Sequence, residues 1–296
     1  MQRTAGKGNP MRTIGLVLAR IYTWFIFLPV FALLTMICGV MAWSLSFVSL
    51  RAGDFWGVIW GRLVLALAFV RVKVRGREHV EPGRQYVVMS NHRSHFDALL
   101  LYGYLGIRFL WVMKKELRHA LFLGPACARI GHIFIDRRDH AQAVQALRDG
   151  LARSAGSSVL FFPEGTRSST RELLPFKKGG FVLAADAGLP ILPVTVRGSE
   201  RVLPSRSLLV RPFKVVELTF HAPVPAPAGA DAREALMETV RARIASALDP
   251  APVGQPAPVC VRSPAPARTD LEEAEASRSL RLRPACAVQP RQPFAR

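Results

Sequence analysis

The sequence predicts an α/β fold: a mostly parallel central sheet flanked by helices, with an N-terminal hydrophobic helical membrane-binding segment and a disordered C-terminal tail. Three observations carry that expectation. Short apolar runs alternate with amphipathic stretches through the middle of the chain, the pattern of repeated βα units. Residues 21–50 contain no charged side chain. From residue 249 onward Pro, Ala, Arg and Ser dominate and aromatic residues nearly vanish, so the segment cannot bury enough apolar surface to offset its chain entropy.

The elements follow in order. Residues 1–20 are basic, with Arg3, Lys7, Arg12 and Arg20 and no acid. The uncharged run after them exceeds the roughly 20 apolar residues that cross a bilayer, with Pro29 and Gly39 as candidate kinks. A second apolar stretch, 55–70, is interrupted only by Arg62, and Trp43, Trp56 and Trp60 suit a headgroup interface. A cleaved signal peptide fits poorly, because the run is long and lacks a small-x-small cleavage site. A spanning helix followed by an amphipathic one, and a hairpin dipping into one leaflet, both fit. Basic residues flank the run on both sides and do not orient it.

Residues 72–76 alternate apolar and basic as a strand does. Strands are then expected at 86–89, 109–113, 133–135, 159–162, 191–196 and 214–220. Helices are expected at 96–105, 116–130, 141–155, 179–187 and 232–247. The domain reading is a basic segment 1–20, a membrane segment 21–70, an α/β domain 71–248 and a Pro/Ala/Arg-rich tail 249–296.

Forty Lys and Arg against 21 Asp and Glu leave a net charge of +19, which suits a polyanionic partner. A mean hydropathy of +0.20 turns that preference toward an anionic membrane and phosphorylated substrates. Nucleic acid is disfavoured: no zinc-finger spacing, RNP-like aromatic motif or basic helix with interleaved aromatics occurs. Cys38, Cys127, Cys260 and Cys286 form no CxxC pair, so neither a metal site nor a disulfide framework is expected.

The stretch Ser90-Asn91-His92-Arg93-Ser94-His95-Phe96-Asp97 joins a buried strand to an apolar helix. A carboxylate near an imidazole fixes its tautomer and stabilises the imidazolium formed when the ring takes a proton. Four intervening residues allow His92 to sit in the loop while Asp97, in the first helical turn, folds back toward it. The imidazole then activates a substrate hydroxyl without a Ser or Cys nucleophile. A plainer reading makes Asn91 or Ser94 a helix cap and His92 a polar loop residue. His95 is a rival base.

A second cluster, 161–168, leaves a buried strand for a loop. Gly165 permits close backbone approach, Arg167 offers a planar fork suited to phosphate, and Glu164 can hold the loop by accepting hydrogen bonds. Pro175-Phe176-Lys177-Lys178-Gly179-Gly180 then opens a helix, whose N-terminus favours anions. Lys114-Lys115-Glu116 and Asp136-Arg137-Arg138 each follow a strand, so four successive strands deliver polar groups to one sheet edge. A solvated turn is the plainer reading of each taken singly.

Together these blocks resemble the glycerolipid acyltransferase family, in particular its lysophosphatidate acyltransferases. The NHxxxxD motif is matched by Asn91, His92 and Asp97, and the FPEGTR motif by 162–167. Lys114, Glu116 and Leu117 match a lysine-containing block, Gly131 and 133–137 a third, and 189–194 a proline-containing last one. Leu121 departs from the pattern, where many members carry proline, and a different helix start is expected there. The resemblance implies His92 as general base toward lysophosphatidate, oriented by Asp97. It places Lys114, Arg137 and Arg167 on the acceptor phosphate, with Glu164, Gly165 and Thr166 shaping the substrate-binding loop. It also implies acyl-CoA or acyl carrier protein (acyl-ACP) as co-substrate, no other cofactor, and attachment to the cytoplasmic face of the cell membrane. Another lyso-lipid acceptor, such as a lyso-ornithine lipid, shares the same motifs. A non-catalytic adaptor for anionic lipid is the reading from another class, and a hydrolase lacks its G-x-S-x-G elbow.

Overall fold

In the computed structural model most of the uncharged run lies in one long helix. Helix α1 (Pro10–Ile21) passes through a π-helical turn (Tyr22–Phe27) into α2 (Leu28–Leu45). The widened turn sits just before Pro29, whose ring and missing N–H disturb the normal helical ladder. The α-helix continues without interruption through Gly39. Its stretch Thr13–Leu45 is long and apolar enough to cross a membrane. The structure describes residues 10–248 apart from 137, 154, 155, 171, 228 and 230. The expected disordered tail, residues 1–9 and Arg137 lie outside the described residues.

Helix α3 (Leu50–Leu67) returns alongside α2 after a turn capped by the Ser49 hydroxyl, which accepts from the Arg51 N–H at 3.2 Å. One face of this hairpin belongs to the core of the α/β fold. Phe27, Cys38, Trp60, Val64 and Leu65 are buried in the same cluster as Leu99, Leu100 and Leu101. Residues 21–70 therefore do not build a core of their own. Thr23 pins the hairpin further, its hydroxyl accepting from the Val210 N–H at 3.1 Å. The other face stays bare: Trp24, Phe25, Leu33 and Trp43 are exposed.

The sheet consists of β1 (Arg71–Arg75), β2 (Val87–Ser90), β3 (Phe109–Lys114), β4 (Ile133–Ile135), β5 (Ser158–Phe161), β6 (Ile191–Arg197) and β7 (Val215–Phe220). Their spatial order is β1-β7-β6-β2-β5-β3-β4. Pairing is parallel except between β6 and β7, so β1 and β7 run against the other five. Between the strands come α4 (Phe96–Tyr104), α5 (Leu123–Ile130), α6 (His140–Arg153), α7 (Gly179–Asp186), the short α8 (Ser199–Val202) and, last, α9 (Asp231–Ser246).

Alternation along the strands divides the interior in two. Val88, Leu160 and Leu192 point to the side covered by α2, α3 and α4. Val87, Met89, Val159 and Phe161 point to the side of α6, α7 and α9, where Phe181, Val240 and Ile244 are buried. Burial on both faces makes these strands near-continuous apolar runs. The expected single helix over 116–130 is instead a 3₁₀ turn, Lys115–His119, followed by α5. Phe122, with φ of 61°, breaks the chain between them, next to Leu121.

Candidate active site

Strands β2, β3, β4 and β5 are neighbours in one parallel set, so their C-terminal ends share an edge, where open α/β sheets place ligands. The β2–α4 loop is fixed there by its own sequence. Asn91, fully buried, spans to β6: its Nδ2 donates to the Val196 carbonyl and its Oδ1 accepts from the Val196 N–H, both at 2.8 Å. The Ser94 hydroxyl donates to the Leu203 carbonyl at 2.8 Å and accepts from the Phe96 N–H at 3.2 Å.

Asp97, the second residue of α4, is completely buried and turns back on the loop. Its Oδ2 accepts from the Arg93 and Ser94 N–H groups at 2.6 and 2.8 Å, and faces His92 Nδ1 at 3.0 Å. Because a carboxylate oxygen only accepts, the hydrogen on that contact belongs to Nδ1. The imidazole is then left with its Nε2 lone pair, the tautomer a general base needs. Phe162 stacks on the ring at 4.0 Å between centroids and 17° between planes, closing a second degree of freedom.

The loop after β5 braces the first. Glu164 Oε1 accepts from the His92 N–H at 2.7 Å and Oε2 from the Leu174 N–H at 2.9 Å, while the Ser168 N–H donates to the His92 carbonyl at 2.8 Å. Burial pushes the Glu164 carboxyl pKa up, and these backbone donors pull it down. Both oxygens being spent on backbone, Glu164 holds the His92 loop and does not reach the cavity.

A cavity of about 660 Å³ opens at this edge. His92, Lys114, Gly165, Thr166, Arg167 and Lys177 are on its wall. Gly165 has a φ of +70°, and a Cβ there would come within 2.7 Å of Lys177 Cε, so the glycine leaves room for that lysine beside the loop. Lys177 and Lys178 stand at the start of α7, where backbone N–H groups and the helix dipole favour anions. Lys114 is shared with Glu116 at 3.0 Å. The Arg167 guanidinium has no hydrogen-bond partner among the described residues. Asp136 pairs with Lys115, joining the ends of β4 and β3 instead of turning to the cavity. Lys115 is the main cause of the lowered Asp136 pKa.

His95, the rival base, also lines the cavity at the start of α4. Its pKa is lowered, chiefly by crowding of the ring away from water and then by Arg167 and His92. The one Asp97 oxygen that bonds an imidazole is taken by His92. Thiol chemistry has no candidate among the described residues: Cys38 is buried away from the cavity wall, and burial pushes the Cys127 thiol up to about 12.

This edge falls within a stretch similar to a known family. Residues 71–197 match the Acyltransferase family model. That match spans somewhat under half of the chain. A 1-acyl-sn-glycerol-3-phosphate acyltransferase from Limnanthes douglasii is 34% identical over 185 residues, 59% of this chain and 65% of that protein. The human 1-acyl-sn-glycerol-3-phosphate acyltransferase alpha is 36% identical over 181 residues, 58% of this chain and 64% of that one. The chain thus spans somewhat under two thirds of these curated relatives. The crystal structure of the 1-acyl-sn-glycerophosphate (LPA) acyltransferase PlsC from Thermotoga maritima superposes with a TM-score of 0.67 at 27% identity, over 80% of this chain and 96% of that one. The matched stretch includes both the His92 loop and the Glu164 loop, and every strand of the parallel set.

Three contributors to this site are not legible in the sequence. Phe162 was seen only as a motif residue, and its stacking on His92 depends on β2 and β5 being sheet neighbours. Lys177 was placed at a helix start, but its approach to Gly165 follows from a loop conformation. Trp111, on the cavity wall, looked like any apolar strand residue.

Proposed function

We propose that this protein moves an acyl chain from a thioester, acyl-CoA or acyl-ACP, to the free hydroxyl of lysophosphatidate, giving phosphatidate. His92 Nε2 takes the hydroxyl proton, the oxygen attacks the thioester carbonyl, and the tetrahedral intermediate expels the thiolate. The imidazolium returns the proton to the leaving sulfur, so the ring ends as it began. Asp97 keeps the ring in register and stabilises the imidazolium. Arg167, Lys114 and Lys177 meet the acceptor phosphate, Arg167 through its planar fork. Fixing acceptor and donor in one cavity contributes up to about 7–11 kcal/mol through orientation.

The observation that carries this reading is the 3.0 Å contact between Nδ1 of His92 and Asp97, beside a cation-lined cavity. The names borne by the relatives supply the acceptor. The apolar helix supports a membrane location, and the proposed thioester donors favour a working face on the cytoplasmic side. The test is purified protein in vesicles, offered a panel of lyso-lipids with each donor, products identified by mass. Phosphatidate as the dominant product supports the proposal. A different acylated lipid would move the acceptor, and lipid binding with no product would favour an adaptor.

A further inference from the structure

The opposite edge of the sheet holds a second hollow, at the start of β3, of about 650 Å³. One wall is a face of α3 carrying Arg51, Asp54, Phe55, Val58 and Arg62, spaced as residues on one side of a helix are. The facing wall carries Arg77, Ile107 and Arg108. No histidine, serine or cysteine lines it, so this is a place for binding rather than chemistry.

Its charge is unbalanced. Asp54 is paired with Arg108, which leaves Arg51, Arg62 and Arg77 without a counter-charge in the hollow. Two of these also cap the end of α4. Arg62 spends Nε on the Gly103 carbonyl at 2.9 Å, and Arg77 spends one terminal nitrogen on the Tyr104 and Leu105 carbonyls at 2.7 and 2.6 Å. Capping uses only part of each fork. The remaining guanidinium nitrogens, and all those of Arg51, have no hydrogen-bond partner among the described residues. Gly106, with φ of +76°, makes room for Arg77: a Cβ there would lie 1.6 Å from its second terminal nitrogen. Beside these cations the wall is apolar, with Phe55 exposed over 60% of its surface. Helix α3 follows directly on the helix that is long and apolar enough to cross a membrane.

We propose that this hollow binds an anionic membrane phospholipid, its phosphate on the outer edges of Arg51, Arg62 and Arg77 and an acyl chain along Phe55 and Val58. The inference does not depend on the acyl-transfer reading, because it concerns the other end of the sheet. Three guanidiniums in an apolar-walled hollow match an amphiphile with one anionic head.

The test uses the full chain in phosphatidylcholine vesicles carrying a photoactivatable phosphatidylglycerol, with cross-linked peptides mapped by mass spectrometry. Cross-links are expected on 51–62 and 102–109. Arg51→Ala, which removes no side-chain hydrogen bond or ion pair among the described residues, combined with Arg62→Gln should lower their yield about tenfold. Cross-links on 92–98 and 161–180 serve as the internal reference. The same adducts in His92→Ala protein would show that the hollow acts independently of the candidate active site. Cross-links confined to 13–45, or a yield unchanged by the double variant, would overturn the proposal. Equal displacement by millimolar inorganic phosphate would also overturn it, by assigning the site to the free ion.

Discussion

Two hollows of nearly equal size sit at opposite edges of one sheet, and both are basic. At the β2–β5 edge the cations stand beside an imidazole whose Nδ1 is held by a buried carboxylate. At the other edge the cations stand alone, and two of them are partly occupied in capping α4. The difference teaches that positive charge makes a place for an anion, whereas reaction needs one group with a fixed lone pair. In this molecule that fixing is redundant: carboxylate, stacked ring and braced backbone all act on His92.

The comparison breaks first at Asp97. Asp97→Asn can turn an amide N–H toward Nδ1 and favours the wrong tautomer, so kcat should fall about 10²–10⁴-fold with KM little changed. A loss under tenfold in steady-state transfer would place the chemistry elsewhere. Glu164→Gln comes next. It replaces an acceptor oxygen with a donor, leaving the His92 or Leu174 N–H unmatched at a cost of about 1–3 kcal/mol. A melting temperature lowered by several degrees, together with a reduced kcat, is expected. A lowered melting temperature with full kcat would mean that the brace serves the fold alone.

Arg167→Ala sharpens the division between binding and reaction. The KM for the acceptor should rise about tenfold while kcat holds, since its role is charge-assisted binding of the phosphate. If only the KM for the thioester donor moved, the two substrate positions would have to be exchanged.

The smallest effect is in stability against pH. His132, buried in the core, has its pKa lowered to about 3 by burial and then Arg108; His221 is lowered to about 4 by burial, then Arg243 and His79. The unfolded chain therefore binds protons that the folded one refuses between about pH 6.5 and 4, and stability drops as pH falls through that window. Thermal melts should show this decline, and His221→Gln should flatten it. A slope unchanged in that variant would remove His221 as a cause.

Much of this was legible from residue order. Every strand was legible: the inner ones because burial on both faces makes each a short apolar run, and β1 and β7 because their residues alternate. The dyad was legible because His92 and Asp97 are close in sequence and joined by a loop and a helical turn. Contacts set by sheet order were not. Nothing local to Glu164 says that its oxygens end on the His92 and Leu174 amides, or that Asn91 bridges to Val196, 105 residues away. The positive φ of Phe122 was likewise hidden, since a bulky residue rarely adopts it. The second hollow is not legible in the sequence because its arginines are scattered from Arg51 to Arg108 and meet only in the folded chain.

The most direct measurement is single-turnover acyl transfer by His92→Ala protein in vesicles, with lysophosphatidate and a labelled thioester and the product resolved by mass. The account predicts phosphatidate formation at least about 10²-fold slower than wild type while the acceptor still binds. Transfer at a near wild-type rate would contradict it, whatever the fate of the other residues.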